Sequence, residues 1–298
     1  MLLSTKYSLL LLLIFIVGIA TVDAEGGAPY THYGYAARIA SSCSGAVSAT
    51  ATICDPTSPY AYYCYCVDPN ALAMVAGCYH ILDETSPDFV SKLSENCKTF
   101  GISITLDQFE AAYKNYTTLA KDPVDIKGFN ATVPINIPVK LNTTVVKLYV
   151  KAYDQFLGNY ENSLYYGSGV LGYWALVFLI VTVVNWTKII SPGLVKTFTG
   201  PVSNTWRKYV TLPAAASKNK TSERPFLKVF DFLVPSRLET LILVGFVAVT
   251  IACCSANIRY VQNDPIFETR RLAIIRYVAD RTGIVVSVNM PLLILFAG

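Results

Sequence analysis

Apolar and polar positions divide the chain into stretches of different character. Leu9–Ile19 is a short apolar run behind Lys6. Glu25–Tyr166 mixes apolar and polar positions. Val170–Ile190 and Leu238–Ile258 are long apolar runs, and a third run begins near Leu272. Crossing a bilayer takes roughly 20 mostly apolar residues. The two complete long runs therefore read as membrane helices. The first run is too short to span, and with Lys6 before it and Val22-Asp23-Ala24 after it, residues 1–24 read as a cleaved signal peptide. In the third run, Ile284–Ala297 gives fourteen residues interrupted by Ser287, Asn289 and Pro291. No polar stop or aromatic anchor follows Gly298, so this span is expected to be cut short.

The mixed stretch carries helix punctuation. Ser86-Pro87 supplies an N-cap and a first-turn proline. Phe89, Leu93 and Cys97 then share a face, and Gly101 closes the helix. Thr105-Leu-Asp-Gln108 is a capping box that opens a second helix, with Phe109, Tyr113, Tyr116 and Leu119 as its apolar stripe. A third helix is predicted over Thr143–Leu157, with Val146, Tyr149, Tyr153 and Phe156 on one side. The expected fold class is thus a membrane protein. A small disulfide-rich, mixed α ectodomain at 25–166 precedes three α-helical transmembrane segments at 167–190, 238–258 and 272–298, the last truncated. A loop at 191–237 joins the first two spans and a loop at 259–271 joins the second and third.

Composition and charge fix the orientation. Hydrophobic residues make up 53% and charged residues 15%, against about 25% charged in soluble domains. Between Glu25 and Glu161 there are nine basic and thirteen acidic side chains, a net of −4. Between Lys188 and Arg237 there are nine basic and two acidic, a net of +7. A basic loop beside membrane helices marks the cytosolic side, so 191–237 is cytosolic while 25–166 and 259–271 are external. Tyr165, Tyr166, Tyr173 and Trp174 read as the outer aromatic belt of the first span, with Trp186 and Lys188 at its inner edge. The basic loop sets topology, and no nucleic-acid partner is expected. Lipid is one expected partner.

Six of the eight cysteines, Cys43, Cys54, Cys64, Cys66, Cys78 and Cys97, cluster in the external stretch. Behind a secretion signal they imply disulfides, with the pairing left open. A metal site would need cysteines or histidines at ligand spacing, and His80 is the only histidine near them, so no metal site is assigned. The external tyrosines (Tyr30, Tyr33, Tyr35, Tyr60, Tyr62, Tyr63, Tyr65) read as packing in a small domain. Asn115, Asn130 and Asn142 head sequons on the external side and are glycosylation candidates. Asn185 and Asn219 head two more, at membrane depth and in the cytosolic loop, and are expected to stay unmodified. Arg276, Asp280 and Arg281 stand at the outer end of the third span. Ionisable groups near membrane depth are costly and have a partner or a task.

Several phrases in this frame resemble the fungal ferric reductase transmembrane components, relatives of the NADPH oxidase membrane subunits. They are Asn159-Tyr-x-Asn-Ser-x-Tyr-Tyr-Gly167, Pro235-Ser-Arg-Leu-Glu-Thr240, Ala279-Asp-Arg-Thr-Gly283 and Pro291-Leu-Leu-Ile-Leu-Phe-Ala-Gly298. In that family the last phrase normally continues into Arg-Asn-Asn. The resemblance implies a transmembrane electron path from cytosolic NADPH through FAD and two haems b to external ferric or cupric ions, serving iron and copper uptake. Haem iron needs strong axial ligands, usually histidines on facing helices. The chain's two histidines, His32 and His80, lie outside every predicted span. No glycine-rich dinucleotide loop is present either. The chain alone is therefore expected to bind no cofactor and to be inactive, with catalytic residues none. The resemblance offers one residue: Arg281, matched to an arginine near the outer haem, is the candidate partner of a haem propionate in a full-length relative.

Three functions compete at this level. One is a ferric-chelate reductase component represented by its N-terminal portion. Another is a non-catalytic, disulfide-rich surface glycoprotein held by membrane anchors. The third is a haem-dependent oxidoreductase that assembles with a histidine-bearing membrane partner. Sequence downstream separates the first two, and co-purification of a haem protein marks the third.

Overall fold

The computed structural model describes residues 33–57, 63–98, 100–197, 199–215, 223–226, 230–233 and 235–297. The expected signal peptide, His32, Tyr30, Tyr60, Tyr62 and Asn219 lie outside them. The described elements are α1 (Tyr35–Thr50), α2 (Pro69–Leu82), α3 (Pro87–Lys98), α4 (Leu106–Leu119), α5 (Thr143–Ile190), α6 (Pro192–Thr197), α7 (Pro201–Trp206), β1 (Glu223–Phe226), β2 (Phe230–Leu233), α8 (Arg237–Ser255) and α9 (Arg270–Ala297). The described residues form two bodies: 33–165 with 257–284, and 166–256 with 285–297.

In the first body α2 is the central helix. Asp68 caps it by accepting from the Asn70 and Ala71 amides, and Pro69 occupies its first turn, where its missing N–H costs nothing. Ala73, Met74, Val75, Ala76, Cys78 and Tyr79 are fully buried. α1 packs on α2 and α3, and α4 packs on α2. Gly77 permits that last approach, since a Cβ there would lie 2.5 Å from the Tyr116 ring. The expected capping box is formed: the Thr105 hydroxyl accepts from the Gln108 amide and the Gln108 side chain accepts from the Thr105 amide. Phe109 and Ala112 are the buried residues of α4. Leu119, expected on the apolar stripe, is instead 51% exposed, at the last residue of α4.

The cysteines pair as Cys43–Cys78, Cys54–Cys64 and Cys66–Cys97. The first ties α1 to α2. The third ties the 3₁₀ turn Cys64–Cys66 to α3.

Two helices among the described residues are long and apolar enough to cross a membrane, α5 and α8. α5 corrects the sequence expectation of a helix ending at Leu157, for it continues without a break to Ile190. Asn159–Gly167 contains no proline, so nothing removes a backbone donor there. α8 opens on a capping box between Ser236 and Glu239, which is the physical content of the Pro235–Thr240 phrase. α9, where the third span is expected, contains Pro291 and a charged first half and is not among the two. In the second body Tyr173 of α5 donates a hydrogen bond to the Ile242 carbonyl at 2.6 Å, and its hydroxyl sits over Gly245. Trp174 packs on Phe246 with ring centroids 5.3 Å apart. These belt candidates are thus engaged with α8. The segment between α5 and α8 contains the β1–β2 hairpin, antiparallel with Glu223 opposite Leu233, which the apolar pattern did not announce.

Candidate functional site

The cluster around Arg281 is built from two helices and one loop of the first body. The start of α9 brings Arg276, Tyr277, Asp280 and Arg281. α5 brings Phe156, Asn159, Tyr160 and Ser163. The turn before α9 brings Asp264 and Phe267. Both helices place polar residues four apart, Asn159 with Ser163 and Tyr277 with Arg281, so each pair falls on one face.

Arg281 is fully buried. Its Nη2 donates to the Asn159 side-chain oxygen at 2.7 Å. Asn159 turns its amide nitrogen to the Tyr277 carbonyl at 3.1 Å, and its own carbonyl accepts from the Ser163 hydroxyl at 2.5 Å. The side chain of Asn159 thereby uses both of its hydrogen-bonding ends on α9, locking α5 to α9 in one register. Asp280, one residue before Arg281, pairs instead with Arg276 on its own helix at 3.0 Å. Arg276 also donates to the Tyr160 hydroxyl at 3.3 Å. An aromatic wall closes the cluster: Phe156 meets Phe267 at 5.5 Å and Tyr277 at 6.5 Å, and Phe267 meets Tyr277 at 5.6 Å. Asp264 folds its turn by accepting from the Ile266 amide at 2.8 Å.

The cluster holds charge at low dielectric, with Asn159 bonding both Arg281 and the Tyr277 carbonyl, which rigidifies the α5–α9 contact. It contains no nucleophile paired with a base. Arg281 falls in it together with Arg276 and Asp280, the other ionisable residues singled out at the outer end of the expected third span. Asn159 opens one of the phrases that carry the family resemblance, while nothing in the sequence pattern singled out Tyr277 as its partner.

The residues present do not fit a bis-histidine haem. His80 is the one described histidine, and it stacks on Tyr113 with ring centroids 3.3 Å apart on the α2–α4 face. Among the described residues no three His, Cys, Asp or Glu side chains group to hold a metal ion. Of the sequon asparagines, Asn115 is half-buried on α4, and Asn130 and Asn142 are exposed. Asn130 accepts from both the amide and the hydroxyl of Thr132. Tyr63 packs on Phe100 at 5.5 Å and Tyr35 on Phe89 at 5.8 Å, so these two of the external tyrosines make ring contacts.

Fold and site together define a class: a disulfide-bonded helical domain joined to helices of membrane-spanning length. Comparison with known proteins gives the class a more particular address. The chain is 38% identical over 169 residues to a probable ferric reductase transmembrane component of Candida albicans, covering 56% of this chain and 25% of the relative. It is equally identical, over 56% of its length and 22% of the relative's, to ferric/cupric reductase transmembrane component 1 of the same organism. Ferric/cupric reductase transmembrane component 2 of Saccharomyces cerevisiae is 28% identical over 243 residues, 78% of this chain and 33% of the relative. The chain is thus similar to ferric and ferric/cupric reductase transmembrane components, as the sequence phrases implied. It spans between about a fifth and a third of the length of these curated relatives. No family model matches the chain, and no solved structure matches it.

Proposed function

We propose that these 298 residues serve a ferric- or cupric-chelate reductase of the plasma membrane, as its external disulfide domain and its first membrane helices. The observation that carries this reading is the 38% identity over 169 residues to the Candida albicans ferric reductase component. Two helices of spanning length support the membrane part, and the three disulfides support an oxidising, external setting for the first body. In this reading electrons pass from cytosolic NADPH through FAD and haem to external ferric or cupric ions. The ligands of the haem iron and the FAD and NADPH sites are proposed to lie outside these residues, so no electron-transfer step is routed through the side chains described above. Arg281, whose Nη2 donates to Asn159, is the residue proposed to face a haem propionate. Asn115, Asn130 and Asn142 are proposed to carry glycans.

A graft tests the reading. Residues 25–298 replace the corresponding part of the Candida albicans relative in cells lacking surface ferric reductase. The chimaera is expected to restore reduction of external ferric citrate, read with an impermeant ferrous chelator. A chimaera that reaches the surface with an intact haem spectrum yet reduces nothing overturns the proposal. The chain by itself, purified in detergent and treated with dithionite, is expected to show no bis-histidine haem spectrum.

A further inference from the structure

We propose that Cys54–Cys64 is a thiol–disulfide exchange site for external dithiols, distinct from the two disulfides that hold the first body together. The three bridges sit in different surroundings. Cys43, Cys78 and Cys97 are completely buried and Cys66 is 9% exposed. Cys54 and Cys64 are both partly exposed, and both line a groove floored by Val47, Ala51, Ile53 and Ala71. Exchange requires a thiolate to reach a sulfur in line with the S–S bond, so access decides which bridge reacts, and exposed bridges are the labile ones. Cys54–Cys64 also encloses the shortest segment, 10 residues apart against 35 and 31. A short loop restricts the unfolded chain least, so this bridge contributes least to stability.

Opening this bridge leaves the scaffold in place. Upstream, Thr52 is held independently: its amide donates to the Ala131 carbonyl at 3.0 Å and its carbonyl accepts from the Ile135 amide at 2.9 Å. Downstream, the turn carrying Cys64 stays anchored by Cys66–Cys97 and by Tyr65, which is 3% exposed. The chemistry balances without a further reagent. One thiolate of the dithiol attacks a sulfur of the bridge, forming a mixed disulfide and releasing the other cysteine as a thiolate that takes up a proton. The second thiol of the dithiol then displaces the remaining cysteine. The bridge gains two electrons and two protons, and the dithiol leaves as its own disulfide. This inference does not rest on the reductase reading.

The order of labelling tests it. The intact chain in detergent is first blocked with a maleimide, to remove Cys253 and Cys254, which lie outside the three bridges. It is then exposed to rising dithiothreitol, pulse-alkylated and mapped by mass spectrometry. Cys54 and Cys64 are expected to label together, at least about tenfold faster than the other four, as exposed bridges do. Simultaneous labelling of all six, or earlier labelling of Cys66 and Cys97, overturns the proposal. In the double variant Cys54→Ser/Cys64→Ser, helical circular dichroism is expected to be unchanged and the fast labelling phase to vanish. A fast phase that persists in that variant overturns the assignment, and the wild-type labelling order stands as a test whether or not the variant folds.

Discussion

The two bodies of this protein use the same apolar side chains in opposite ways. In the first, Met74, Tyr79, Leu93, Phe109 and Val139 are sealed inside, and three bridges tie the elements that enclose them. In the second, α8 has no buried residue at all, and Leu241, Val244, Val247 and Ile251 are each more than half exposed. The hydrophobic effect accounts for the first body in water, where burial of apolar area is the driving force. It cannot account for α8 in water, where so large an unbroken apolar surface marks contact with lipid or a partner. The contrast is one of burial: a core is built in the first body and dispensed with along α8.

That contrast can be attacked first at its strongest joint. Removing the bridge between α1 and α2, in Cys43→Ala/Cys78→Ala, is expected to cost the first body about 2–5 kcal/mol, as for native disulfides of small secreted domains. Thermal melting followed by circular dichroism should show a lowered transition. Replacing Cys253 and Cys254 by Ser should leave that transition where it is. If both pairs shift it alike, the two bodies are not organised as described.

Val244→Arg probes the other side. At the centre of a helix in lipid an arginine costs about 2.5–3.5 kcal/mol for insertion. At an exposed position in water a substitution usually stays within about 0.5 kcal/mol. Val244 is 60% exposed, so the two solvents predict opposite outcomes. Loss of membrane integration, read by carbonate extraction, is the expected result, and full retention in the membrane with normal yield would remove α8 from lipid.

Gly77→Ala sharpens the comparison at the level of a single methyl group. The added Cβ meets the Tyr116 ring at 2.5–2.7 Å. The ring cannot simply swing aside, because its hydroxyl accepts from the Leu141 amide at 2.9 Å. Overpacking of this kind costs about 1–3 kcal/mol, again read as a lowered melting transition. Gly169 and Gly172, on α5 in the second body, have nothing within 4 Å of an added Cβ, and alanine there should be silent in the same assay.

The sequence was legible where a stripe, a cap or a run stood out. α3 and α4 announced themselves by Ser86-Pro87 and Thr105–Gln108, and α8 by its unbroken apolar length. α2 did not, because a helix buried on nearly every side shows no amphipathic stripe. Its Asp68-Pro69 start was the available signal. α1 does have a buried face, Ile39, Ala40, Cys43, Ala46 and Val47, but its small Ala and Ser residues set that face apart only weakly from the rest. α5 appeared to end at Leu157 because the polar residues Asn159 and Ser163 interrupt its apolar pattern. Asn159 faces Arg281 and Tyr277 from within the helix, a contact between positions more than a hundred residues apart that no local pattern encodes. The Arg281 cluster was therefore half visible: the cation stood out by its cost, while its neutral partner did not.

The smallest expected effect concerns the one described histidine. The His80 ring lies flat on Tyr113, and its Nε2 is buried without a hydrogen-bond partner among the described residues. Burial lowers its pKa below the ordinary 6.5, opposed by the nearby carboxylates of Glu110 and Asp83. The folded state therefore favours the neutral ring, while the unfolded chain takes up a proton at the ordinary value. Stability from this group is complete above pH 6.5 and is lost progressively as pH falls from 6.5 to the depressed native value. The melting transition should fall slightly between pH 7.5 and pH 5, and part of that slope should disappear in His80→Phe, which keeps the stack on Tyr113 and removes the titration. Equal slopes in the two proteins would mean that the ring is as well hydrated folded as unfolded, and that the α2–α4 face is less closed than the packing of Gly77 against Tyr116 requires.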